Sequence, residues 1–321
     1  MTRFAVLLVA LCMAGTAFAQ EAAWPNKPVR FIVPFPAGSS TDVVARVVGQ
    51  MLSARLGQQF VIDNRVGASG NLGSDAVARA APDGYTIGLA TTSTHTLAPS
   101  LSSSLPYDPV KDFRPVSMIG AAPYVMVTYP GLQTKTVAEF IALAKTKPGS
   151  LTFGSAGPAS LAHLAGVLFA NAVAVQLVHV PYKSSAQSVT DLITGRLDMQ
   201  FSTIAPTLQL IRSGELRALA TTGAKRSGIM PELPTLAETG LAGYDASLWM
   251  GLVLPAAAPA GIAARLNREL TDILGSDKAK EALLAQGLDT EASTPDAFRE
   301  RIASDIAKWR AVISNAGIHA E

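Results

Sequence analysis

The chain has 321 residues, 49% of them hydrophobic, and its 26 basic and 24 acidic residues leave a formal net charge of +2. So even a balance argues against a broad nucleic-acid footprint, and a single cysteine cannot build a disulfide framework. Beyond the N-terminus, no segment is apolar and uncharged for the ~20 residues that a bilayer demands.

Residues 1–19 read as an export signal. Arg3 supplies the positive start, residues 4–13 the apolar run, and Ala17-Phe18-Ala19 a small-x-small site for cleavage after Ala19. The sole cysteine, Cys12, lies inside this segment beside Leu11, a poor fit to lipoprotein processing, so the mature chain keeps no thiol. A soluble periplasmic protein is expected, large enough at roughly 300 residues for two lobes.

A β-branched and aromatic strand over 29–33 meets the small-residue turn Ala37-Gly38-Ser39-Ser40-Thr41, and a helix opens near Asp42 with Val43, Val44, Val47 and Val48 apolar. The first N–H groups of such a helix have no intrahelical partner, and the dipole behind them favours an anion. The alternative is an ordinary helix cap without a ligand. Asp42 itself is a cap or first-turn acid, with a bound amine as its other reading.

A strand over 58–65 follows, then the turn of Gly67, Gly70 and Gly73, which opens a helix over 71–80. The strand 85–90 ends in the hydroxyl-rich Thr91-Thr92-Ser93-Thr94-His95. Strands 116–121 and 124–129, parted by Pro123, carry the chain into a second lobe. There helix 136–146, strand 151–154 and the turn Ser155-Ala156-Gly157 lead to helix 158–171. Strand 175–180 ends in Pro181-Tyr182-Lys183-Ser184-Ser185 before helix 186–194. Strand 197–201 ends in Ser202-Thr203, and a helix and strand 216–221 follow. The Pro- and Gly-rich stretch 223–244 holds the return connection, and strand 246–254 with helices 260–274, 277–286 and 295–315 completes the first lobe.

This alternation indicates an α/β protein, each lobe a mainly parallel sheet flanked by helices. Lobe 1 takes residues 20–121 and about 226–321, and lobe 2 takes 122–225. Ligands of open α/β sheets sit outside the carboxyl ends of the strands. Loops 35–42, 91–95, 155–160, 181–185 and 202–203 are therefore expected to converge on an interlobe cleft. The candidate contacts are Phe35, Ala37, Gly38, Ser39, Ser40, Thr41 and Asp42 from the first loop, and Thr91, Thr92, Ser93 and His95 from the second. The other lobe offers Ser155, Ala156, Gly157 and Ser160, then Tyr182 and Lys183, and finally Ser202. Phe35 and Tyr182 either flank a ligand or support their loops. Lys183 is either a solvated charge or the one cation of the cleft.

Catalytic signatures are sparse. HExxH, the Walker loop and GxGxxG are absent, and Phe153 stands where GxSxG requires glycine before Ser155. A secreted serine hydrolase built on Ser155, His163 or His179, and Asp198 is the rival from the enzyme class. His95, His163, His179 and His319 lack metal-ligand spacing, so neither a metal nor another cofactor is expected. His163 and His179 read as structural, while His95 either packs or lines the cleft. Trp24, Trp249 and Trp309 read as packing residues.

The stretches WPNKPVRFIVPFPAGSSTDVVAR, VIDNRVGASGNLGSDAVARAAPDGYTIGLAT, LPYDPVKDFRPVS, AKTKPGSLTFGSAG, AHLAG, VHVPYKSSAQSVTDLITGRLDM, GELRALATTGAKRS, PELPTLAETG and WMGLVLPA cover most of the mature chain. In them it resembles the Bug-type periplasmic solute receptors of the tripartite tricarboxylate transporter family. The resemblance implies a two-lobed Venus-flytrap fold of type II, with no chemistry of its own. It also implies a monomer that captures a small organic acid and delivers it to the membrane carrier subunits of a tripartite tricarboxylate-type transporter. The acid is an aliphatic di- or tricarboxylate or an aromatic carboxylate. Such receptors hold a carboxylate by backbone donors and ordered water at the loop matching 35–42. The loops matching 91–95, 155–160 and 182–185 hold the rest. Departures bear on ligand identity: Gly38-Ser39 replaces Gly-Gly, Pro158-Ala159 replaces Asn-Gly, and Ser184 replaces a common glycine. A receptor that signals to a sensor partner is a further alternative.

Overall fold

The computed structural model describes residues 24–102 and 104–318. The export signal of residues 1–19, with Cys12 and the cleavage after Ala19, lies outside them, as does His319.

In the first lobe β1 (Val29–Val33), α1 (Ser40–Leu56), β2 (Phe60–Asn64), α2 (Asn71–Ala78) and β3 (Thr86–Thr91) form two βαβ units. β1 pairs in parallel with β2 on one side and β3 on the other. Helices cover both faces of such a sheet, which is why VRFIV is apolar and buried at every position but Arg30, whose guanidinium pairs with Asp63. A short helix α3 (Ala98–Leu101) precedes β4 (Phe113–Ala122), which leaves this lobe and continues across Pro123 as β5 (Tyr124–Thr128) of the second.

The second lobe runs α4 (Val137–Thr146), β6 (Thr152–Ser155), α5 (Leu161–Val173), β7 (Val178–Pro181), α6 (Ser185–Ile193), β8 (Met199–Thr203), α7 (Ile204–Arg212) and β9 (Arg217–Thr221). Its sheet has the order β7-β6-β8-β5-β9, with β7, β6 and β8 parallel and β5 antiparallel to both neighbours. β10 (Leu248–Pro255) returns to the first lobe and lies antiparallel between β3 and β4. α8 (Ala260–Gly275), α9 (Asp277–Leu284), β11 (Asp289–Thr290) and α10 (Pro295–Asn315) follow, giving that sheet the order β11-β4-β10-β3-β1-β2. Each lobe thus keeps a parallel block and adds antiparallel strands where the chain crosses. The two-lobed α/β expectation holds, but the sheets are mixed where mainly parallel ones were expected, because β10 and β5 lie antiparallel to both their neighbours.

Two further details differ from the sequence reading. The stretch after β9 does not rejoin the first lobe near residue 226. Leu236, Leu241 and Tyr244 pack in the second lobe's core with Phe140, Phe153, Phe169 and Phe201, and the Tyr244 hydroxyl donates to the Ala165 carbonyl of α5 (2.8 Å). The return crossing therefore falls at 245–248. α10 also belongs to both lobes. Phe298 and Ile302 pack with Trp249 of β10, whereas Trp309, Val312 and Ile313 enter the second core.

The crossings are stitched by one buried residue. The Thr222 hydroxyl accepts the Tyr124 N–H (2.8 Å) and donates to the Ala246 carbonyl (3.0 Å). Its own N–H donates to Tyr124 O (2.9 Å), and its carbonyl accepts the Ala246 N–H (3.0 Å). Beside it, the Asp305 carboxylate of α10 accepts from Trp249 Nε1 (2.9 Å), Arg301 Nε (2.8 Å) and Lys308 Nζ (2.7 Å). Burial pushes the Asp305 carboxyl up, but the two cations outweigh it and hold the group below the usual carboxylate range.

Thr222→Val keeps the shape of the side chain and removes its hydroxyl, leaving the Tyr124 N–H and the Ala246 carbonyl short of a partner. Each unmet buried group costs about 1–3 kcal/mol, so urea unfolding is expected to show a loss of that order. An unchanged midpoint would mean that the hydroxyl is not part of the crossing.

Candidate functional site

A cavity of about 340 Å³ opens between the lobes. Each wall follows the carboxyl end of a strand. After β2, a one-turn helix over Ala68–Gly70 presents Ser69 and Asn71; after β3, a π-helical turn over Ser93–Leu97 presents Ser93 and Leu97 and runs into Ala98 and Leu101 of α3. After β6, the turn ahead of α5 presents Pro158, Ala159 and Ser160. No charged side chain lines this space. Another cavity, of about 370 Å³, lies behind the crossings and is lined by charged side chains of both signs, among them Arg301 paired with Asp245, and Asp289, which holds Ser227 and Gly228.

Of the sequence candidates, Ser93 and Ser160 line the interlobe cavity directly. Ser69 and Asn71 were missed. Their signal was the glycine run, because a Cβ on Gly70 (φ +97) would lie 2.8 Å from Thr94 Cγ2 and 3.3 Å from Phe35 Cζ. That close approach brings the loop against its neighbours, and the Tyr107 hydroxyl holds Asn71 in place (3.0 Å).

The loop 35–42 contributes no residue to the lining of the interlobe cavity and is organised by Asp42. This carboxylate is buried and accepts from Gly38 N (2.9 Å), Arg46 Nε (2.8 Å) and Asn64 Nδ2 (2.9 Å), while Ser39 Oγ caps the helix by accepting the Asp42 N–H (3.2 Å). Burial pushes the Asp42 carboxyl up, yet its hydrogen bonds prevail and hold it below the usual range. Asp42 is thus a helix-start acid, and the bound-amine reading gives way. Its grip also occupies the Gly38 N–H, so that amide is not a free donor. The amides of Ser40 and Thr41 have no partner among the described residues. Ala37 and Ser40 are exposed, and Phe35 reaches the cavity side only through its contact with the Gly70 loop.

The segment 91–95, expected to be a loop, is helical from Thr92 on, and Thr91 is the last residue of β3. Thr91 Oγ1 pairs with Thr94 Oγ1 (3.1 Å), and Thr92 Oγ1 accepts the Trp249 N–H (2.8 Å). The turn rotates His95 inward, where it is 1% exposed between Tyr107 and Phe113 with Nδ1 2.9 Å from Thr94 Oγ1. Burial pushes its pKa down to about 3. Thr92 and His95 are therefore interior supports and not cleft groups.

In the second lobe Ser155 is fully buried, and Ala156 is exposed beside it. The Ser155 hydroxyl lies 2.9 Å from the Gly157 carbonyl and 2.7 Å from His179 Nε2. Asp198 is elsewhere: it accepts the N–H and hydroxyl of Thr152 (2.7 and 2.9 Å). Ser155 lies three positions along the strand from Thr152, about 10 Å, and Asp198 bonds to neither His163 nor His179 among the described residues, so the hydrolase set is not assembled. Ser160 caps α5, and the amides of Leu161 and Ala162 behind it have no partner among the described residues. The Tyr182 hydroxyl donates to Asp191 Oδ2 (2.8 Å) and so supports its own loop. Lys183 is exposed outside the cavity wall. Ser202 is buried, its hydroxyl without a partner among the described residues, and no group of three or more metal-binding side chains occurs among them.

The sequence profile of the "Tripartite tricarboxylate transporter family receptor" matches residues 44–318. Protein BugT of Bordetella pertussis is 39% identical over 320 residues, covering 99% of this chain and 98% of the relative. Among solved structures, R. palustris Rpa4515 with adipate is 35% identical with a TM-score of 0.72, covering 93% of this chain and 100% of that one. MatC (Rpa3494) from Rhodopseudomonas palustris with bound malate is 28% identical with a TM-score of 0.67, covering 90% and 100%.

The buried imidazole makes folding acid-sensitive. His95 titrates near 3 when folded and near 6.5 when unfolded, so the unfolded chain takes up the proton first. Its contribution is complete above the unfolded value and is lost as pH falls from 6.5 toward about 3. Urea midpoints measured across that range are expected to fall with acid, and more gently in His95→Phe.

Proposed function

The chain belongs to the tripartite tricarboxylate transporter receptor family, and on that premise we propose that it is a periplasmic solute receptor. It captures a small organic carboxylate between its lobes and presents it to the membrane carrier of a tripartite tricarboxylate-type transporter. The observation that supports this most is the lining of the interlobe cavity, where hydroxyl and amide groups from both lobes meet with no charged side chain.

Carboxylate oxygens accept from the Ser69 and Ser93 hydroxyls, the Asn71 amide and the first amides of α5. The unpaired Ser40 and Thr41 amides, with the α1 dipole behind them, join as the lobes close. Closure is a hinge motion that expels water and strengthens each bond. Hydrogen bonds to a charged group contribute roughly 1.5–3 kcal/mol each. Three or four of them, less the ordering cost, reach about −8 kcal/mol, a micromolar affinity.

Leu97, Ala98, Leu101, Pro158 and Ala159 give the cavity an apolar side for the body of the ligand. The adipate and malate held by the two solved relatives favour a short aliphatic dicarboxylate. Export through residues 1–19 and action as a monomer complete the reading.

A thermal-shift screen of mono-, di- and tricarboxylates, aliphatic and aromatic, tests it. At least one acid is expected to raise the melting temperature, with a rise that continues as the logarithm of its concentration above saturation, and Asn71→Leu to weaken that acid roughly tenfold, about 1.4 kcal/mol. If every acid fails while a neutral sugar or an amine stabilises the protein, the reading falls.

A further inference from the structure

The second-lobe wall of the cavity hangs from two imidazoles. His163, in the first turn of α5, accepts the Ala159 N–H at Nδ1 (3.2 Å). His179, on β7, meets the Ser155 hydroxyl through Nε2 (2.7 Å), and that hydroxyl in turn holds both the carbonyl and the N–H of Gly157 (2.9 and 3.2 Å). The two rings stack with centroids 3.7 Å apart and planes 12° from parallel, and Phe153 lies beside both at 6.0 and 5.0 Å.

One of these bonds specifies a protonation state: Nδ1 of His163 accepts an amide and carries no proton. The single hydrogen of the Ser155 hydroxyl goes either to the Gly157 carbonyl or to Nε2 of His179, and the tautomer of that ring follows the choice. A proton on His163 Nδ1 would evict the Ala159 amide, and a charge on either ring would sit unpaired in the stack. No carboxylate offsets it: burial acts alone on His163, and on His179 burial comes first and the His163 ring second, pushing that group down to about 4. Ser155, Phe153 and the backbone of 157–159 are the other groups on the pair.

We propose that the stacked His163–His179 pair positions the ligand site: while neutral it fixes Ala159, Ser160 and the start of α5 against the carboxylate, and on protonation it releases them. Ligand capture and proton uptake then oppose each other. The proposal rests on reading the cleft as the carboxylate site. Affinity falls by up to about tenfold for each pH unit below the first protonation of the pair.

Calorimetric titration with adipate and with malate, from about pH 8 to about pH 4.5, separates this from a merely structural role. The ligand's own protonation is common to all variants and cancels between them. His163→Leu, which lacks the acceptor, is expected to bind about tenfold more weakly at neutral pH. His163→Asn, whose Oδ1 restores an acceptor for the Ala159 amide, is expected to recover that loss and to lose the extra acid sensitivity of the parent. Equal losses in both variants, or an unchanged acid slope in His163→Asn, overturn the proposal. Amide exchange at Ala159 in the free protein, corrected for intrinsic rates, gives a readout without ligand. Protection is expected to fall with acid in the parent and to stay level in His163→Asn; level protection in the parent overturns the proposal. If neither acid binds even near neutral pH while the exchange behaves as expected, the choice of ligand has failed and the histidine pair has not.

Discussion

One buried hydroxyl, that of Thr222, joins the strands that carry the chain between the two sheets, and the geometry of the cleft depends on that join. The cavity walls are the carboxyl ends of two separate parallel blocks, so each wall is only as well placed as the crossing that relates the blocks. Thr222 ties Tyr124 to Ala246 through four hydrogen bonds, and the Asp305 carboxylate gathers Trp249, Arg301 and Lys308 alongside. Breaking such buried polar contacts is costly because each group left behind has no water to turn to.

The cavity offers neutral hydrogen-bonding groups, with no charged side chain of the described residues in its lining. Asp42 spends its own charge on Gly38, Arg46 and Asn64, which orders the loop 35–42 while the helix-start amides of Ser40 and Thr41 have no partner among the described residues. The second lobe follows the same logic with other parts: Ser160 caps α5, the stacked histidines hold the turn before it, and the amides of Leu161 and Ala162 are left without a partner among the described residues. Neutral donors suit a receptor that must also let go, since a buried ion pair would add a large desolvation term to every cycle.

Most strands were legible because β-branched runs such as 29–33 and 124–128 end in small or turn-forming residues. The exact start of α5 was less so. Pro158 and Ala159 look helix-compatible, but Ala159 adopts φ 58 and Ser160 caps the helix, so the segment makes cavity wall in place of a first turn. The run 91–95 misled for a related reason. Threonine hydroxyls bonded within the turn build a π-helical segment, and that rotation, invisible to periodicity, buries His95. Proline and glycine between 223 and 244 signalled irregular chain but not its lobe, which Leu236, Leu241 and Tyr244 decide by packing. Ser93 and Ser160 were legible as hydroxyls after strands, whereas Ser69 and Asn71 could be reached only through the close approach at Gly70.

α10 is a rigid rod planted in two different cores. Phe298 and Trp309 are eleven residues apart, about 16 Å along the axis, one in each lobe. A rod anchored at both ends couples the two interiors, so loosening one core loosens the grip on the helix that completes the other.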